Sequence, residues 1–564
     1  METTTGPLGQ GCDDSVGMAI GGRFLASRFN RPGFPLFDFN VYAFCSDGDM
    51  MEGVASEAAS LAGHLQLSNL CWIYDNNHIT IDGRTALTFT ENVAARFRAY
   101  RWNVLHVADA NDTVAVATAL ASFRKTSDRP TLVIVDSHIG FGAPHKQDTS
   151  AAHGEPLGEE EVKLAKRAYG WPEEARFLVP DGVYEHFDRG LGERGRRLHR
   201  EWKEKFAEYC RRYPELGERL RALQSRVPPA QWDADLPSFQ ADAKGVATRE
   251  SSGAVLNAIA KNYPWLIGGA ADLSTSTKTA LNFESAGNFE PGEYAGRNLN
   301  FGIREHAMGA VLNALALYGL RPFGSSFFIF SDYMRPPMRL ASLMHLPVIY
   351  VFTHDSIGLG EDGPTHQPVE QLIGLRAVPG LIVIRPADAN EVVEAWRAII
   401  ELKDAPACLV LSRQPLPTLD RSRYAAASGL ARGGYILADA PDGRPEVILI
   451  GTGSELALCV AASEMLAEQS IATRVVSLPS WQLFDRQDEN YRDSVLPKTV
   501  KARVAVEAAS PRGWERYVGE DGAMLGLDRF GASAPMKELM NTFGFTADHV
   551  VAAAKAQIAK WKKL

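Results

Sequence analysis

The sequence predicts an α/β protein built from doubly wound domains with mostly parallel sheets. Apolar, strand-like runs alternate with helix-compatible runs over most of the 564 residues, which is the pattern of parallel crossover units. A chain of this length exceeds what one hydrophobic core supports, so we expect roughly three or four domains. The alternation is clearest in residues 45–83, which lie in a β-α-β-like stretch.

Two polar side chains follow the strands of this first predicted unit. An apolar strand at 40–46 leads through a helical run at 50–67 to a second strand at 70–74, and Asp47 and Asn77 come after the two strands. Ligands of parallel sheets bind outside the carboxyl ends of strands. Hard oxygen ligands suit Mg²⁺ or Ca²⁺, which typically hold a phosphate as well. Either pair alone, Asp-Gly or Asn-Asn, indicates a turn. The two pairs together, each after one of the two strands, favour a metal-held phosphate over simple turns.

The rest of the first domain continues the alternation. A Gly/Pro loop, GPLGQG, feeds a helix, and further helices at 91–100 and 113–124 flank strands at 104–107 and from Thr131 onward. The last strand leads into a long loop with His138, His145 and His153. Loops at strand carboxyl ends often carry chemistry, although a single loop histidine is more often merely solvated.

Three further segments follow. Residues 169–243 are charged and helical with both signs interspersed, which favours a solvated connecting segment over a binding patch. A second alternating domain spans 244–420, with helices at 251–261, 304–317 and 332–344. A third alternating domain spans 421–564. Its GTGS turn precedes a helix and favours a structural turn over an anion site.

Composition and charge exclude several functional classes. With 45% hydrophobic and 23% charged residues the chain is typical of globular proteins. The net charge of −9 argues against nucleic acid or an anionic membrane as a partner. Six cysteines without metal-like spacing indicate a reducing compartment, so we expect a cytoplasmic location, and Cys45 and Cys71 lie in apolar strands and are predicted to be core.

Ten segments closely resemble the transketolase family in order and wording. They are TTGPLGQG, SDGDMMEG, YDNNHITIDG, HGEPLG, ADLSTS, FGIREHAM, SSFFIFSDY, THDSIGLGEDGPTHQP, LSRQ and VAVEA. The resemblance covers essentially the whole chain, with Ser46 in place of the first glycine of the family's Gly-Asp-Gly motif. It implies a diphosphate-binding domain at 1–168, the helical connection at 169–243, a pyrimidine-binding domain at 244–420 and a C-terminal transketolase-type domain at 421–564.

The resemblance implies the reaction and the cofactors. The chain would move a two-carbon ketol unit from a ketose phosphate to an aldose phosphate through a thiamine diphosphate carbanion, as in the pentose phosphate pathway or the Calvin cycle. Thiamine diphosphate and Mg²⁺ (or Ca²⁺) are the implied cofactors. The implied metal ligands are Asp47, Asn77 and the backbone carbonyl of Ile79.

Family positions also imply the residues around the cofactor. Glu305 would hydrogen-bond the aminopyrimidine ring as a catalytic residue, whereas alone it reads as a first-turn carboxylate of a helix. Phe330 would stack on that ring, whereas alone it reads as core. The implied cofactor-binding residues are Leu8, Gly48, Glu52, Asn77, His153, Asp272, Phe327, Phe330 and Tyr333.

The substrate side is implied in the same way. Two guanidiniums and a histidine would form a local positive site in an otherwise acidic chain. His153 and His366 are the implied catalytic proton-transfer groups. The implied substrate-binding residues are Arg249, Ser276, His354, Asp362, His366 and Arg413.

The resemblance further implies a homodimer with active sites at the subunit interface. It also implies a family segment upstream of TTGPLGQG with further active-site histidines, which we expect this chain to lack. Alternatives therefore stay open: a catalytically silent homologue, a chain that needs a separate N-terminal subunit, or a ketol transferase with another partner, such as a formaldehyde-using or sulfosugar enzyme.

Overall fold

The computed structural model describes residues 3–562, which form two compact units. The first comprises the residues up to Ser225 together with Glu290–Ala295, and the second comprises Arg226–Phe289 and the residues from Gly296 onward. The predicted α/β architecture with mostly parallel sheets is confirmed. Within residues 3–562, no helix combines the length and apolar character that crossing a bilayer requires.

The first unit is built on a four-stranded, fully parallel sheet. Its strands are β1 (Val41–Ser46), β2 (Leu70–Asn76), β3 (Asn103–Val107) and β4 (Thr131–Asp136), in the order β1-β2-β4-β3. Its helices are α1 (Gln10–Phe29), α2 (Asp47–Met51), α3 (Gly53–His64), α4 (Val93–Ala99), α5 (Thr113–Phe123), α6 (Glu159–Ala168), α7 (Val183–Phe187), α8 (Glu193–Arg212) and α9 (Pro214–Gln224). Cys45 and Cys71 are buried, as predicted.

The prediction of one continuous helix at 50–67 is wrong. It is two helices, α2 and α3, because Glu52 adopts an extended backbone with ψ 128° between them. The first helix begins earlier than predicted, since Ser46 and Asp49 form a capping box around its start. Strand β2 runs two residues past the predicted end, and Asn77 is the first residue beyond it.

The second unit contains a fully parallel six-stranded sheet and a two-stranded antiparallel ribbon. The strands are β5 (Asp242–Ala247), β6 (Leu266–Ala270), β7 (Asn298–Asn300), β8 (Arg321–Phe327), β9 (Ile349–Thr353), β10 (Ile382–Ile384), β11 (Ala407–Leu411) and β12 (Pro415–Thr418). The sheet has the order β10-β11-β9-β8-β6-β7, and β5 pairs with β12 in the ribbon. The sequence did not predict the ribbon, because two prolines in β12 argue against a strand.

Six of the described helices lie among the strands of this sheet in chain order, and the strand order locates its ligand-binding crevice. They are α10 (Thr248–Asn262), α11 (Ser274–Thr277), α12 (Glu305–Leu317), α13 (Ser331–Leu343), α14 (Gln371–Arg376) and α15 (Ala389–Glu401). Since β7 and β9 extend the sheet in opposite directions from β6 and β8, the strand order reverses at the β6–β8 pair. The carboxyl ends of β6 and β8 therefore flank the crevice in which such sheets bind ligands.

A five-stranded sheet completes the second unit. Its strands are β13 (Tyr435–Ala438), β14 (Val447–Gly451), β15 (Thr473–Ser477), β16 (Arg503–Val506) and β17 (Ala523–Leu525), in the order β13-β15-β14-β16-β17. Within this sheet, β13 runs antiparallel to its neighbour β15, and the other described strands are parallel. Its helices are α16 (Leu456–Ala467), α17 (Trp481–Asp485), α18 (Glu489–Val495), α19 (Glu515–Val518), α20 (Met536–Thr542) and α21 (Ala547–Trp561). Leu449 and Ile450 belong to two separate apolar clusters, as expected for alternating residues of a covered strand.

Candidate active site

The first group of predicted site residues lies at the carboxyl edge of the four-stranded sheet. Strands β1 and β2 are parallel neighbours with Ser46 opposite Asp75. Asp47 and Asn77, which directly follow the two strands, therefore leave the sheet at the same edge. The predicted placement of these two residues at neighbouring strand ends is observed.

Asp47 is buried and already accepts two hydrogen bonds. It is 2% exposed, Tyr74 Oη donates to its Oδ1 at 2.5 Å, and the His78 amide donates to its Oδ2 at 3.0 Å. Burial raises the pKa of the Asp47 carboxyl, and the two hydrogen bonds oppose that rise. Because each carboxylate oxygen can accept more than one contact, Asp47 retains lone pairs for a cation.

Asn77 is held by its own turn. Its Oδ1 accepts the Ile79 amide at 3.0 Å, and its Nδ2 donates to Asp75 Oδ2 at 3.2 Å. His78 between them has a left-handed backbone with φ 62°, a conformation rare for residues with side chains. One carboxylate, one amide oxygen and a main-chain carbonyl form a hard-oxygen set that fits Mg²⁺ or Ca²⁺. Among residues 3–562, no cluster of three or more His, Cys, Asp or Glu offers a competing metal site.

The Gly/Pro loop lies against the start of α2. The Gly9 amide donates to Asp49 Oδ1 at 2.8 Å, while Asp49 Oδ2 accepts the Ser46 amide at 2.8 Å and the Ser46 hydroxyl at 3.2 Å. A Cβ at Gly48 would lie 2.8 Å from Leu8 Cδ1, so a larger residue there would have to displace the half-exposed Leu8 side chain. Ser46 thus has a structural partner of its own where the family motif has glycine.

The other predicted residues of this unit are more exposed. Glu52 lies between α2 and α3. Its side chain is packed close to the backbone of Gly9, because a Cβ added at Gly9 would lie only 3.0 Å from the Cβ of Glu52. His138 contacts Asp148 at 3.0 Å and His145 contacts Glu161 at 2.8 Å. The ring of His153 is exposed and, among the described residues, has no side-chain partner. Of the three loop histidines, His153 is therefore the one whose ring contacts no carboxylate among the described residues.

In the second unit, Glu305 lies at the start of α12. It is the first residue of the helix and 8% exposed, and Ser326 Oγ donates to its Oε1 at 2.9 Å. Ser326 belongs to β8, so the carboxylate is tied to the carboxyl end of that strand.

Aromatic rings cluster after β8. The rings of Phe327 and Phe330 are stacked with centroids 6.2 Å apart, and Tyr333, which is 64% exposed, meets Phe330 edge to face at 6.0 Å. The His354 ring lies 3.8 Å from that of Phe327, and the His366 ring lies 5.7 Å from that of Phe330. These rings offer flat apolar surfaces to a planar ligand.

The antiparallel ribbon brings the two predicted arginines together. Thr248 and Ser412, each one residue before an arginine, are linked by hydrogen bonds from Ser412 N to Thr248 Oγ1 at 2.7 Å and from Thr248 N to Ser412 Oγ at 3.1 Å. Burial lowers the pKa of Arg249, and the charge of Arg413 lowers it further. Arg249 Nη1 donates to the Ser276 carbonyl at 3.0 Å and to its hydroxyl at 3.3 Å.

His354 lies beside this positive pair. It is 3% exposed, its backbone φ is 62°, and its Nδ1 is 2.8 Å from Thr353 Oγ1. Burial, followed by the charges of Arg249 and Arg413, lowers the pKa of His354 to about 3. The imidazole is therefore neutral near pH 7, and the cationic character of the group comes from the two guanidiniums.

Two predicted carboxylates lie at the surface of this unit. Asp272 follows β6 with φ 60° and lines a cavity of about 380 Å³. Asp362 is exposed in the loop that leads to His366. Asp272 thus lies on the crevice side defined by β6 and β8.

Several positioning residues were missed by the sequence reasoning. Tyr74 and Asp49 support the first group, and Ser326, Thr248 and Ser412 support the second. The Ser-x-x-Asp pattern at Ser46 is a capping-box signal that points to Asp49. The other four act through partners distant in sequence, for which a single sequence carries no signal.

Comparison with known proteins agrees with this arrangement. Residues 1–229 match the transketolase thiamine diphosphate binding domain, 244–418 the transketolase pyrimidine binding domain and 433–546 the transketolase-like C-terminal domain. The chain is 52% identical to transketolase of Geobacillus stearothermophilus over 99% of its own length and 84% of that protein. The chain belongs to the transketolase family.

Further members of the family support the assignment. Transketolase of Bacillus subtilis is 48% identical over 99% of this chain and 84% of its own length. The structure of transketolase from Pichia stipitis in complex with sedoheptulose 7-phosphate superposes with a TM-score of 0.94 and 40% identity, covering 100% of this chain and 82% of that one. Transketolase of Leishmania mexicana also reaches 0.94 at 40% identity, covering 99% and 82%. The chain is accordingly a ketol-transferring enzyme of the thiamine diphosphate-dependent transketolase type, and these near-complete alignments do not favour a silent or split homologue.

Proposed function

We propose that this transketolase family member transfers a two-carbon ketol unit between ketose and aldose phosphates of the pentose phosphate type. The observation that carries the choice of phosphorylated sugars is the group formed by Arg249, Arg413 and His354. Two guanidiniums around a neutral imidazole make a local cationic site in a chain of net charge −9. Arginine forks match the geometry of a phosphate monoester.

Each of the two units carries its own set of proposed cofactor contacts. In the first, Asp47, Asn77 and the Ile79 carbonyl would hold Mg²⁺ or Ca²⁺ on the diphosphate, with Gly48 and the loop at Leu8 leaving room for phosphate oxygens. Glu52 and His153 complete the proposed contacts there. In the second unit, Phe327, Phe330, Tyr333 and Asp272 would border the aminopyrimidine and thiazolium rings. Thiamine diphosphate, when bound, supplies the electron sink for cleaving and forming the carbon–carbon bond.

The protein's own groups would position and move protons. Glu305, fixed by Ser326 and the helix start, would accept a hydrogen bond from the protonated aminopyrimidine ring. His153 and His366 would exchange protons with substrate hydroxyls. Ser276 and Asp362 would add hydrogen bonds to phosphate and hydroxyl groups. Because an imidazole can both donate and accept a proton, histidine side chains are suited to proton exchange with hydroxyl groups.

A direct assay tests the proposal. Purified protein with thiamine diphosphate, Mg²⁺, xylulose 5-phosphate and ribose 5-phosphate should form a heptulose phosphate and a triose phosphate, detected by mass spectrometry. Omission of either cofactor is the control. Folded protein that binds thiamine diphosphate but moves no two-carbon unit between these sugars would exclude the proposed substrates.

The acceptor range is tested separately. The cationic group favours phosphorylated acceptors over formaldehyde and over sulfosugars, which carry a different anionic group. A panel of equimolar acceptors with one donor should show kcat/KM highest for aldose phosphates. A higher kcat/KM for formaldehyde or a sulfosugar would assign the chain to a related ketol transferase.

We also propose a homodimer in a reducing, cytoplasmic environment. All six cysteines are free thiols, and exposed apolar side chains such as Phe44 and Ile303, 83% and 78% exposed, suit burial between subunits. Sedimentation analysis tests the dimer. The alignments do not favour the need for a separate N-terminal subunit, and turnover by the isolated chain would reject it. The four-part domain division given above also stays a proposal, testable by limited proteolysis at 169–243.

A further inference from the structure

A buried guanidinium joins the loop of His354 to the five-stranded sheet. Arg385 follows β10 and is 1% exposed. Its Nε and Nη2 donate to Asp355 Oδ2 at 2.9 and 2.6 Å. On the other side, Nη1 donates to the Thr452 carbonyl at 2.9 Å and to Glu455 Oε2 at 2.5 Å, and Nη2 donates to Ser454 Oγ at 3.2 Å. All five N–H donors of the guanidinium are thus used.

The turn after β14 is shaped around this side chain. The Arg385 carbonyl accepts the Gly453 amide at 3.1 Å and Thr452 Oγ1 at 3.2 Å. Gly453 has φ 54°, and a Cβ there would lie 2.5 Å from Arg385 Cζ. The GTGS turn therefore receives a guanidinium instead of an external anion. Its prediction as a structural turn is confirmed, and its glycine has a specific steric cause.

Asp355 transmits this anchor to His354. The two are consecutive, and His354 has the left-handed backbone that persists only where its surroundings enforce it. Thr353 fixes the imidazole through Nδ1 on one side, and the Arg385–Asp355 pair fixes the main chain on the other. Both the ring and the backbone of His354 are therefore held from outside the residue.

The same loop carries the acceptor of Arg413. Ser356 Oγ lies 3.4 Å from Asp355 Oδ1 and accepts the Gly358 amide at 3.2 Å. One residue later, the Leu359 carbonyl accepts Arg413 Nη1 at 3.4 Å. A displacement of Asp355 would thus reach both His354 and the contact that orients Arg413.

We infer that Arg385 is a positioning residue for sugar-phosphate recognition: by tying Asp355 to Thr452 and Glu455, it sets the geometry of His354 and Arg413. This inference rests on the proposed function of those two residues as phosphate ligands. It also gives the five-stranded sheet a part in substrate binding, although none of the predicted site residues lies on that sheet.

A neighbouring ion pair provides a matched control. The side chains of Arg376 and Glu507 are 2% and 0% exposed, and they form two hydrogen bonds of 2.8 Å. Glu507 also accepts Trp514 Nε1 at 2.8 Å, and the guanidinium stacks 4.0 Å from the Trp481 ring. This pair joins α14 to the end of β16, and among the described residues it has no hydrogen bond to Asp355. Its burial matches that of Arg385, but its link to His354 is indirect. Ala508, the residue after Glu507, donates its amide to Glu455 Oε2 at 3.0 Å, and the charge of Glu507 acts on Arg385.

The test compares Arg385→Lys with Arg376→Lys in the full chain. Each variant keeps the charge but loses the two-pronged geometry. The measurements are melting temperature, kcat and KM for a ketose phosphate, and the Kd of inorganic phosphate by calorimetry without turnover. We expect both variants to melt earlier. Arg385→Lys should lower kcat/KM by about 10- to 100-fold, mainly through KM, and should weaken phosphate binding. Arg376→Lys should change KM and the phosphate Kd far less, because its contact with the Arg385 network is indirect.

Equal KM and phosphate Kd in the two variants, at equal loss of melting temperature, would reduce Arg385 to a stability role and overturn the inference. If Arg385→Lys does not fold, Glu455→Gln keeps the shape and an acceptor oxygen, and the same rise in KM is expected from it. Failure of the proposed function is distinguishable, because the wild-type protein itself would then neither bind phosphate nor turn over ketose phosphates.

Discussion

The proposed metal group of the first unit and the proposed sugar-phosphate group of the second are organised differently. Around Asp47 and Asn77, main-chain amides and one tyrosine satisfy part of the oxygen lone pairs, and His78 and Leu8 are exposed. Around His354, by contrast, a buried ion-pair network and a β-ribbon fix the groups before any ligand arrives. We infer that the proposed cation would complete the first group, whereas the second group is preorganised.

The largest effect is expected at Glu305, whose carboxylate is held by Ser326. Glu305→Gln retains the size but removes the charge, and we expect kcat to fall by about 10²- to 10⁴-fold, the range of general acid–base contributions. Cofactor affinity, measured by calorimetry, should change far less. Ser326→Ala is the matched control, with a smaller loss of kcat because the carboxylate remains. A variant Glu305→Gln with near-normal kcat would contradict the proposed role.

Removing the charge at Asp47 is expected to affect the first group alone. Asp47→Asn should raise the Kd of thiamine diphosphate in the presence of Mg²⁺ by about 100-fold. Loss of a residue that hydrogen-bonds a metal ligand typically weakens metal binding by about 10- to 100-fold, and we expect loss of the ligand's own charge to cost at least as much. Asp82→Asn changes an exposed carboxylate in the loop that contains Asn77, and it should leave the Kd of thiamine diphosphate unchanged. The Kd of inorganic phosphate at the second group should be unaffected. A parallel loss of phosphate binding would contradict the contrast between the groups.

A substitution at Arg249 tests the second group, and we expect it to weaken sugar-phosphate binding without affecting the cofactor. Arg249→Gln should raise KM for the ketose phosphate by about 10-fold or more, since a charge-assisted hydrogen bond contributes about 1.5–3 kcal/mol. The affinity for thiamine diphosphate should stay constant. Arg444→Gln, at an exposed position in the loop between β13 and β14, serves as the control. Unchanged KM in Arg249→Gln would mean that the phosphate is bound elsewhere.

A final test concerns the pH dependence of stability caused by His354. Its pKa is lowered to about 3 in the folded chain, so below pH 6.5 the unfolded chain binds a proton that the folded chain does not. Stability should therefore fall as pH decreases, by about 2 kcal/mol from this group between pH 7 and pH 5.

Urea unfolding at the two pH values measures this loss. His354→Asn is the comparison, because asparagine tolerates the left-handed backbone and does not titrate. The variant should lose less stability on acidification than the wild-type chain. Equal losses in both proteins would show that His354 is accessible to protons in the folded state.

Much of the fold was predictable because it depends on local pattern. The strands around Asp47 and Asn77 are apolar runs ending in polar turns, which fixes both residues at one sheet edge. The break at Glu52 was not predictable, since the helical periodicity continues through it and the interruption arises from backbone geometry. Strand β12 was missed because Pro415 and Pro417 argue against a strand at the level of sequence.

The site divides in the same way. Asp47 and Asn77 follow from spacing and residue type, whereas Glu305 and Phe330 were assigned by family resemblance, each having an ordinary structural interpretation alone. Arg385 gave no sequence signal, because its partners Asp355 and Glu455 become neighbours only in the folded unit. Contacts of that range require the tertiary structure.

The ribbon of β5 and β12 sets the order in which the second unit can be completed. The hydrogen-bonded residues Thr248 and Ser412 are 164 positions apart in the chain. Closing a loop of that length costs roughly 4–5 kcal/mol of chain entropy, which the intervening sheet must first offset. During synthesis on the ribosome, the arginine pair cannot assemble until β12 has emerged. Phosphate affinity of the second group therefore reports that the six-stranded sheet between Thr248 and Ser412 has folded.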